Sequence, residues 1–234
     1  MRDPSNLSTV LFLFIVGAVA IAMITGYTRA SDQHRAKRAS VAAMAVGIWM
    51  AASFIFTAVV NVPEERAFIV VAPFIGLNLI LITAITLSPI GRSLSALPAA
   101  ALVGFHVFRI PLEYVLHLWS TEGVIPTALS WHGQNYDVLT GLLAILTLLT
   151  MRRFRWMLVV FQLVGIAMLF NIIRIVAQNT PGSPLYTQSE EPALLLALHF
   201  PTVWIVSVCV FGAILGHAVL LRQMLASEQP VQTL

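Results

Sequence analysis

Long apolar runs separated by short polar connections make up nearly the whole of this chain. Seven runs can be drawn, over Thr9–Tyr27, Val41–Asn61, Phe68–Ser88, Leu97–Trp119, Tyr136–Met151, Trp156–Ala177 and Ala193–Leu221. A helix needs about 20 apolar residues to cross a hydrocarbon core of about 30 Å. A membrane strand would need about ten residues of alternating polarity. These runs are continuous rather than alternating. The pattern therefore predicts an all-α membrane protein, a seven-transmembrane-helix bundle formed as a single domain over residues 1–234.

Composition agrees. The chain is 59% hydrophobic and 10% charged, with a mean hydropathy of +0.89. Soluble domains average about 25% charged residues, so the polar fraction here is too small to cover a water-facing surface. The sequence pI near 9.5 does not point to nucleic acid, because the basic residues fall in separate clusters between apolar runs. Arg29, Arg35, Lys37, Arg38, Arg92, Arg152, Arg153, Arg155 and Arg222 all fall in connections of one parity, against Arg2 and Arg66 in the others. The positive-inside rule then places the N-terminus outside and the C-terminus in the cytoplasm. The first run is expected to be retained as a span, since its basic cluster follows it instead of preceding it as in a signal peptide. Trp119, Trp131 and Tyr136 are expected at the outer interface, with Tyr27 and Trp156 at the inner one. The connection Thr121–Asn135 is expected to lie on the membrane or fold back over the bundle, and Gln178–Pro192 is a turn-rich loop.

Within the fourth run, His106, Arg109, Glu113 and His117 are groups that a lipid-facing helix does not carry. At about 100° per residue they form one stripe about 80° wide. A charge at bilayer depth costs about 2.5–3.5 kcal/mol on insertion scales and normally faces protein or water. Depth counted along the helices places His106 near mid-membrane, Glu113 in the outer half and His117 near the outer surface. Asn135 and Asp137 at the start of the fifth run, Asn171 and Arg174 late in the sixth, and His199 early in the seventh reach the same outer half, whereas Gln162 and His217 fall toward the inner side. The expectation is a pocket open to the periplasmic side of helices four to seven, with Arg109, Glu113, His117, Asn135, Asp137, Asn171, Arg174 and His199 as substrate-binding residues.

Several of these groups have purely structural alternatives. Arg109 and Glu113 can neutralise each other at i,i+4, or Glu113 can pair with Arg174. Arg174 can instead snorkel to the headgroups, and Asp137 can cap the fifth helix. His132 is expected to be solvated. His117, Asp137 and His199 are the candidate metal ligands, as three His or carboxylate groups suit a zinc site, although no HExxH spacing occurs. A haem would need His106 and a histidine of the seventh run at one depth; His199 and His217 lie about 27 Å apart along a helix and cannot share an iron. The only lysine, Lys37, is in a connection, which excludes a retinal Schiff base within a span. The single cysteine, Cys209, excludes an intrachain disulfide and any CxxC motif and reads as a small buried hydrophobe.

The stretch FRIPLEYVLHLWSTEGVIPTALSWHGQNYDVLTGL, residues 108–142, resembles a pattern in uncharacterised bacterial integral-membrane proteins. Arg109, Glu113, His117, Gly133, Asn135 and Asp137 carry the likeness. It implies a multi-pass protein of the bacterial inner membrane and brings no activity with it. Three functions follow as expectations. The first is a pocket that binds, and on a further step transports, a small polar or anionic solute or protons. The second is a membrane-embedded, metal-dependent enzyme acting on a lipid or prenyl-type substrate. The third is a structural subunit of a larger membrane complex or homo-oligomer. Membrane lipid is the common partner in all three.

Overall fold

A computed structural model describes residues 2–188 and 190–227; residues 1, 189 and 228–234 of the expected single domain lie outside the described residues. The described residues are helical and contain no strand. Six helices are long and apolar enough to cross a membrane. Four of these six are continuous helices: α1 (Asn6–Arg29), α2 (Arg35–Val59), α3 (Ala67–Leu87, entered through a 3-10 turn at Glu64–Arg66) and α8 (Trp156–Asn179). The short α4 (Pro89–Leu94) follows α3, capped by the Ser88 hydroxyl, which accepts the Ile90 N–H, with Pro89 at the first helical position.

The fourth crossing is compound. Helix α5 (Ala99–Phe105) passes through a 3-10 turn at His106–Phe108 into α6 (Arg109–Thr121). The last crossing also changes winding, from a π-helical turn at Ile205–Val210 into α9 (Phe211–Ser227). Both irregular turns sit where the sequence pattern shows only an unbroken apolar run, and the fourth-run stripe is therefore rewound at its inner end. Helix α7 (Val138–Thr150) is short, 13 residues, or about 20 Å by helical rise.

Two sequence expectations change. The seventh run does not become helical at Ala193. Residues Leu196–Leu198 form a 3-10 turn, His199 is extended (φ −125°, ψ 142°), and the spanning helix starts at Ile205. Pro201 has no N–H to continue a helix and disfavours helical backbone in the residue before it. The expected interfacial Trp119 is instead wholly buried, with its ring 4.9 Å from that of Phe12 on α1. Its size and apolar body fill the core between α1 and α6.

The core has two main clusters. One joins Phe12, Val16, Leu116, Trp119, Ile175 and Cys209; the other joins Ile82, Val103, Ala144, Phe161, Phe211 and Leu220. The final crossing is central, with 56% of its apolar window buried, whereas α2 is peripheral at 6%. Cys209 is buried with no partner, as its position suggested. The Trp49 indole of α2 donates to Ser207 O (2.9 Å), and the Trp204 indole donates back to Met50 O (3.1 Å), so α2 is pinned to the π-helical turn.

Hydrogen bonds sort the connections to two ends of the bundle. At one end Ser5 and Ser8 donate to the Glu122 carboxylate, Phe68 N–H to Pro181 O, and Thr127 N–H to Glu191. At the other, Arg38 donates to Tyr27 O and Ser93 Oγ, Arg222 to Thr86 O, and Gln223 to Ser95 O and Leu97 O. The second end carries the basic clusters.

Candidate functional site

The connection from α6 to α7 builds the site. After a 3-10 turn at Thr127–Leu129 the chain folds back on itself, with Gly133 N–H bonded to Ser130 O and Gln134 N–H to Ala128 O. A Cβ at Gly133 would stand 2.1 Å from Thr127 O, so the doubled-back chain requires glycine there. Of the two arrangements expected for this connection, folding back over the bundle is the one adopted, with Val124, Ile125, Leu129, Ser130 and Asn135 all buried.

That fold turns Asn135 inward against α6. Its Nδ2 donates to both oxygens of Glu113, at 2.9 and 2.8 Å, and to Leu129 O at 3.2 Å. Its Oδ1 accepts the Asp137 N–H at 3.1 Å, which fixes the approach to α7. Asp137 then forms an ion pair with Arg109 and accepts the Thr140 hydroxyl at 3.0 Å. Arg109 and Glu113 are almost fully buried, at 1% and 2% exposure. Arg109 Nε and Nη2 have no hydrogen-bond partner among the described residues.

The pairings differ from those the sequence offered. Arg109 pairs with Asp137 and not with Glu113 one turn along its own helix. Glu113 pairs with neither arginine; among the described residues it has no ion pair at all. Asp137 occupies the N-cap position of α7, but its side chain makes no capping bond, because the guanidinium takes it. A full charge outcompetes backbone amides for a buried carboxylate.

Arg109, Glu113, Asp137 and Thr180 border a cavity of about 80 Å³ whose other walls are apolar, including Val71, Leu112, Leu169 and Cys209. A cavity needs about 10–15 Å³ of such volume to hold a water, so this one has room for a few.

A second polar cluster adjoins the first from below. The rings of His106 and His217 lie 4.1 Å apart, and Phe161 packs against both. Gln162 holds His217 by a reciprocal pair: its amide donates to His217 O at 2.8 Å, and its Oε1 bonds Nδ1 at 3.1 Å. Both nitrogens of His106, and Nε2 of His217, have no partner among the described residues. Arg109 is near enough to act electrostatically on both imidazoles. A Cβ at Gly165 would lie 2.1 Å from His217 Cε1, so glycine at this point of α8 makes room for the ring. Gln162 and His217, set apart by their inner position in the sequence, thus continue the fourth-run stripe through His106. The signal that finds them is a histidine and a glutamine in apolar runs, and depth counting alone does not join them to the stripe.

The remaining expected site residues lie elsewhere. His117 is half-buried, stacked on Trp131 at 4.8 Å and 4.6 Å from the ring of His132. Arg174 is exposed and bonds Gln134, Asn171 and Gln178, and Asn171 donates to Gln134 O; together they clamp α8 to the folded-back connection. His199 lies in the connection before the last span. Burial pulls its imidazole below its ordinary value, against the opposing pull of the Glu64 and Asp3 carboxylates. Among the described residues His117, Asp137 and His199 form no metal-binding group, nor do any other three His, Cys, Asp or Glu side chains. The close contact of His106 and His217 leaves no space for a porphyrin between their rings.

Compared with known proteins, the chain matches no family model, no curated protein and no solved structure.

Proposed function

We propose that this is a seven-pass protein of the bacterial inner membrane that moves protons, or a small polar solute coupled to them, through the buried polar seam of α5–α9. The N-terminus would lie outside and the C-terminus in the cytoplasm. The sorting of basic connections to one end of the bundle supports that orientation. Helix α7 makes its crossing together with the inward-folded residues ahead of it.

One observation carries the reading. Glu113 is a buried carboxyl group on a cavity wall, held by an amide and in no ion pair among the described residues, because Arg109 one turn away pairs with Asp137. An uncompensated carboxylate in a low-dielectric site is costly, so such a group exchanges its proton instead of holding a fixed charge. The Arg109–Asp137 pair is neutral as a unit, which disfavours a purely anionic cargo. The cavity's size restricts the cargo to protons, water or a solute of a few heavy atoms. His106, with both ring nitrogens unpartnered among the described residues, and His217, with Nε2 unpartnered there, extend the seam away from Glu113 toward the basic end.

Proteoliposomes loaded with a pH-sensitive dye test this. Under an imposed pH gradient or membrane potential the protein is expected to raise proton flux above that of empty vesicles, and Glu113→Gln to abolish the increase. Flux equal to that of empty vesicles, or undiminished in Glu113→Gln, refutes the proposal.

A further inference from the structure

A second and far larger cavity, about 1050 Å³, lies between α1, α2, α4, α5 and the last crossing. It shares no lining residue with the first cavity. Small residues carve it: Ala18, Ala22 and Gly26 repeat at i,i+4 along one face of α1, opposite Ala42 and Ala45 of α2 and Gly212 of α9. Along the last crossing it runs from Ser207 to Val219, or about 18 Å by helical rise. That is close to one leaflet of a hydrocarbon core about 30 Å thick.

The cavity's two ends differ in chemistry. Trp49, Phe105 and Val208 line the deep end, and Tyr27 and Arg29 line the other, taken as the mouth. Arg29 lines this end, and Arg35, Lys37, Arg38 and Arg92 lie in the neighbouring connections; among the described residues of those connections the one acid is Asp32, which is paired with Arg35. Arg38 is spent on structure, stacked 4.0 Å over the Tyr27 ring and bonded to Tyr27 O and Ser93 Oγ. The side chains of Arg29, Lys37 and Arg92 make no hydrogen bond or ion pair among the described residues. An apolar slot one leaflet deep, ending in uncommitted cations, matches one occupant.

We infer that this groove seats an anionic diacyl phospholipid, its acyl chains between α1, α2 and α9 and its phosphate at Arg29 and Arg92. Apolar chains bury against the small-residue walls. Interfacial cations then select the headgroup, each lysine or arginine near an anionic membrane surface favouring it by about fivefold.

Native mass spectrometry of the full chain, titrated with phosphatidylglycerol or phosphatidylcholine, reads bound lipid and oligomeric state together. The wild type is expected to retain one phosphatidylglycerol and to prefer it over phosphatidylcholine. Arg29→Gln with Arg92→Gln, both exposed positions, is expected to cut that preference about 25-fold while leaving chain binding in place. Ala45→Phe, which fills the slot, is expected to lower retention of both lipids at least tenfold. Equal retention of the two lipids by the wild type, an unchanged preference in the double arginine variant, or a lipid-free dimer covering the groove would each overturn the inference.

Discussion

Removing the carboxylate of Asp137 gives the most demanding test of the site. The Arg109 side chain is 1% exposed, and its ion pair with Asp137 is the one hydrogen-bonded contact its guanidinium makes among the described residues. Asp137→Ala therefore strands a buried charge and also takes the acceptor from the Thr140 hydroxyl. Breaking one side of a buried pair costs about 3–5 kcal/mol. For a chain of this length each kcal/mol moves the melting temperature by about 2–4 °C, so a drop of about 6–20 °C is expected. Replacing both partners, Arg109→Met with Asp137→Ala, removes the stranded charge and should recover most of the loss. The chain carries its own probe: Cys209 is fully buried, so a thiol-reactive fluorogenic dye reports unfolding in detergent without labelling any other residue. Repeating the series in Glu113→Gln closes the route by which Arg109 could re-pair one turn along α6. A drop below about 2 °C for Asp137→Ala, or losses that simply add in the double variant, would refute a coupled pair, since additivity is the behaviour of independent sites.

Three further outcomes are expected. Gly165→Ala should destabilise the protein, because its Cβ would overlap the His217 ring, and Gly165→Ala with His217→Ala should melt higher than Gly165→Ala alone; no rescue would mean that the ring is not what the glycine accommodates. Glu122 lies outside the spans: burial alone would raise its carboxyl, but the bonds from Ser5 N–H, Ser5 Oγ and Ser8 Oγ prevail and hold it below its usual range. A lowered folded value stabilises above the unfolded value and is lost as pH falls through the folded one, so the melting-temperature gap between wild type and Glu122→Gln should narrow as the solution is acidified below pH ~4.3; a gap independent of pH would contradict the hydrogen-bonded carboxylate. Trp49→Phe removes one indole bond to Ser207 O, with an expected cost of about 0.5–1.5 kcal/mol, read by the same thiol assay; an unchanged melting temperature would show that the bond contributes nothing.

The apolar runs make most of the helices legible, because twenty consecutive apolar residues have few other structures open to them in a membrane. What pattern does not reveal is the winding within a run. The 3-10 turn at His106–Phe108 and the π-helical turn at Ile205–Val210 leave hydropathy unchanged, and both occur where polar groups meet. Membership of the site was legible for Arg109, Glu113, Asn135 and Asp137, which are costly to bury and close in depth. Their pairing was not, since it depends on a loop that folds inward only because Gly133 lets the chain double back. His199 falls outside a helix for a different reason: an apolar composition continues from Ala193 through Pro201, but the helix does not. Depth alone puts Arg174 in the pocket, yet depth says nothing of which way a side chain faces round its helix.

The two tryptophan bonds near the middle of α2 and the Arg38 contacts at its end turn that helix into a beam fixed at two points. Trp49 lies 11 residues beyond Arg38, or about 16 Å along the helix, with small side chains beneath and no side-chain hydrogen bond to another element among the described residues. The wall of the large groove is thus a window with a fixed sill and lintel. Its height does not vary with how α2 breathes sideways, whereas its width does. The lipid inferred above would enter sideways from the bilayer through this window.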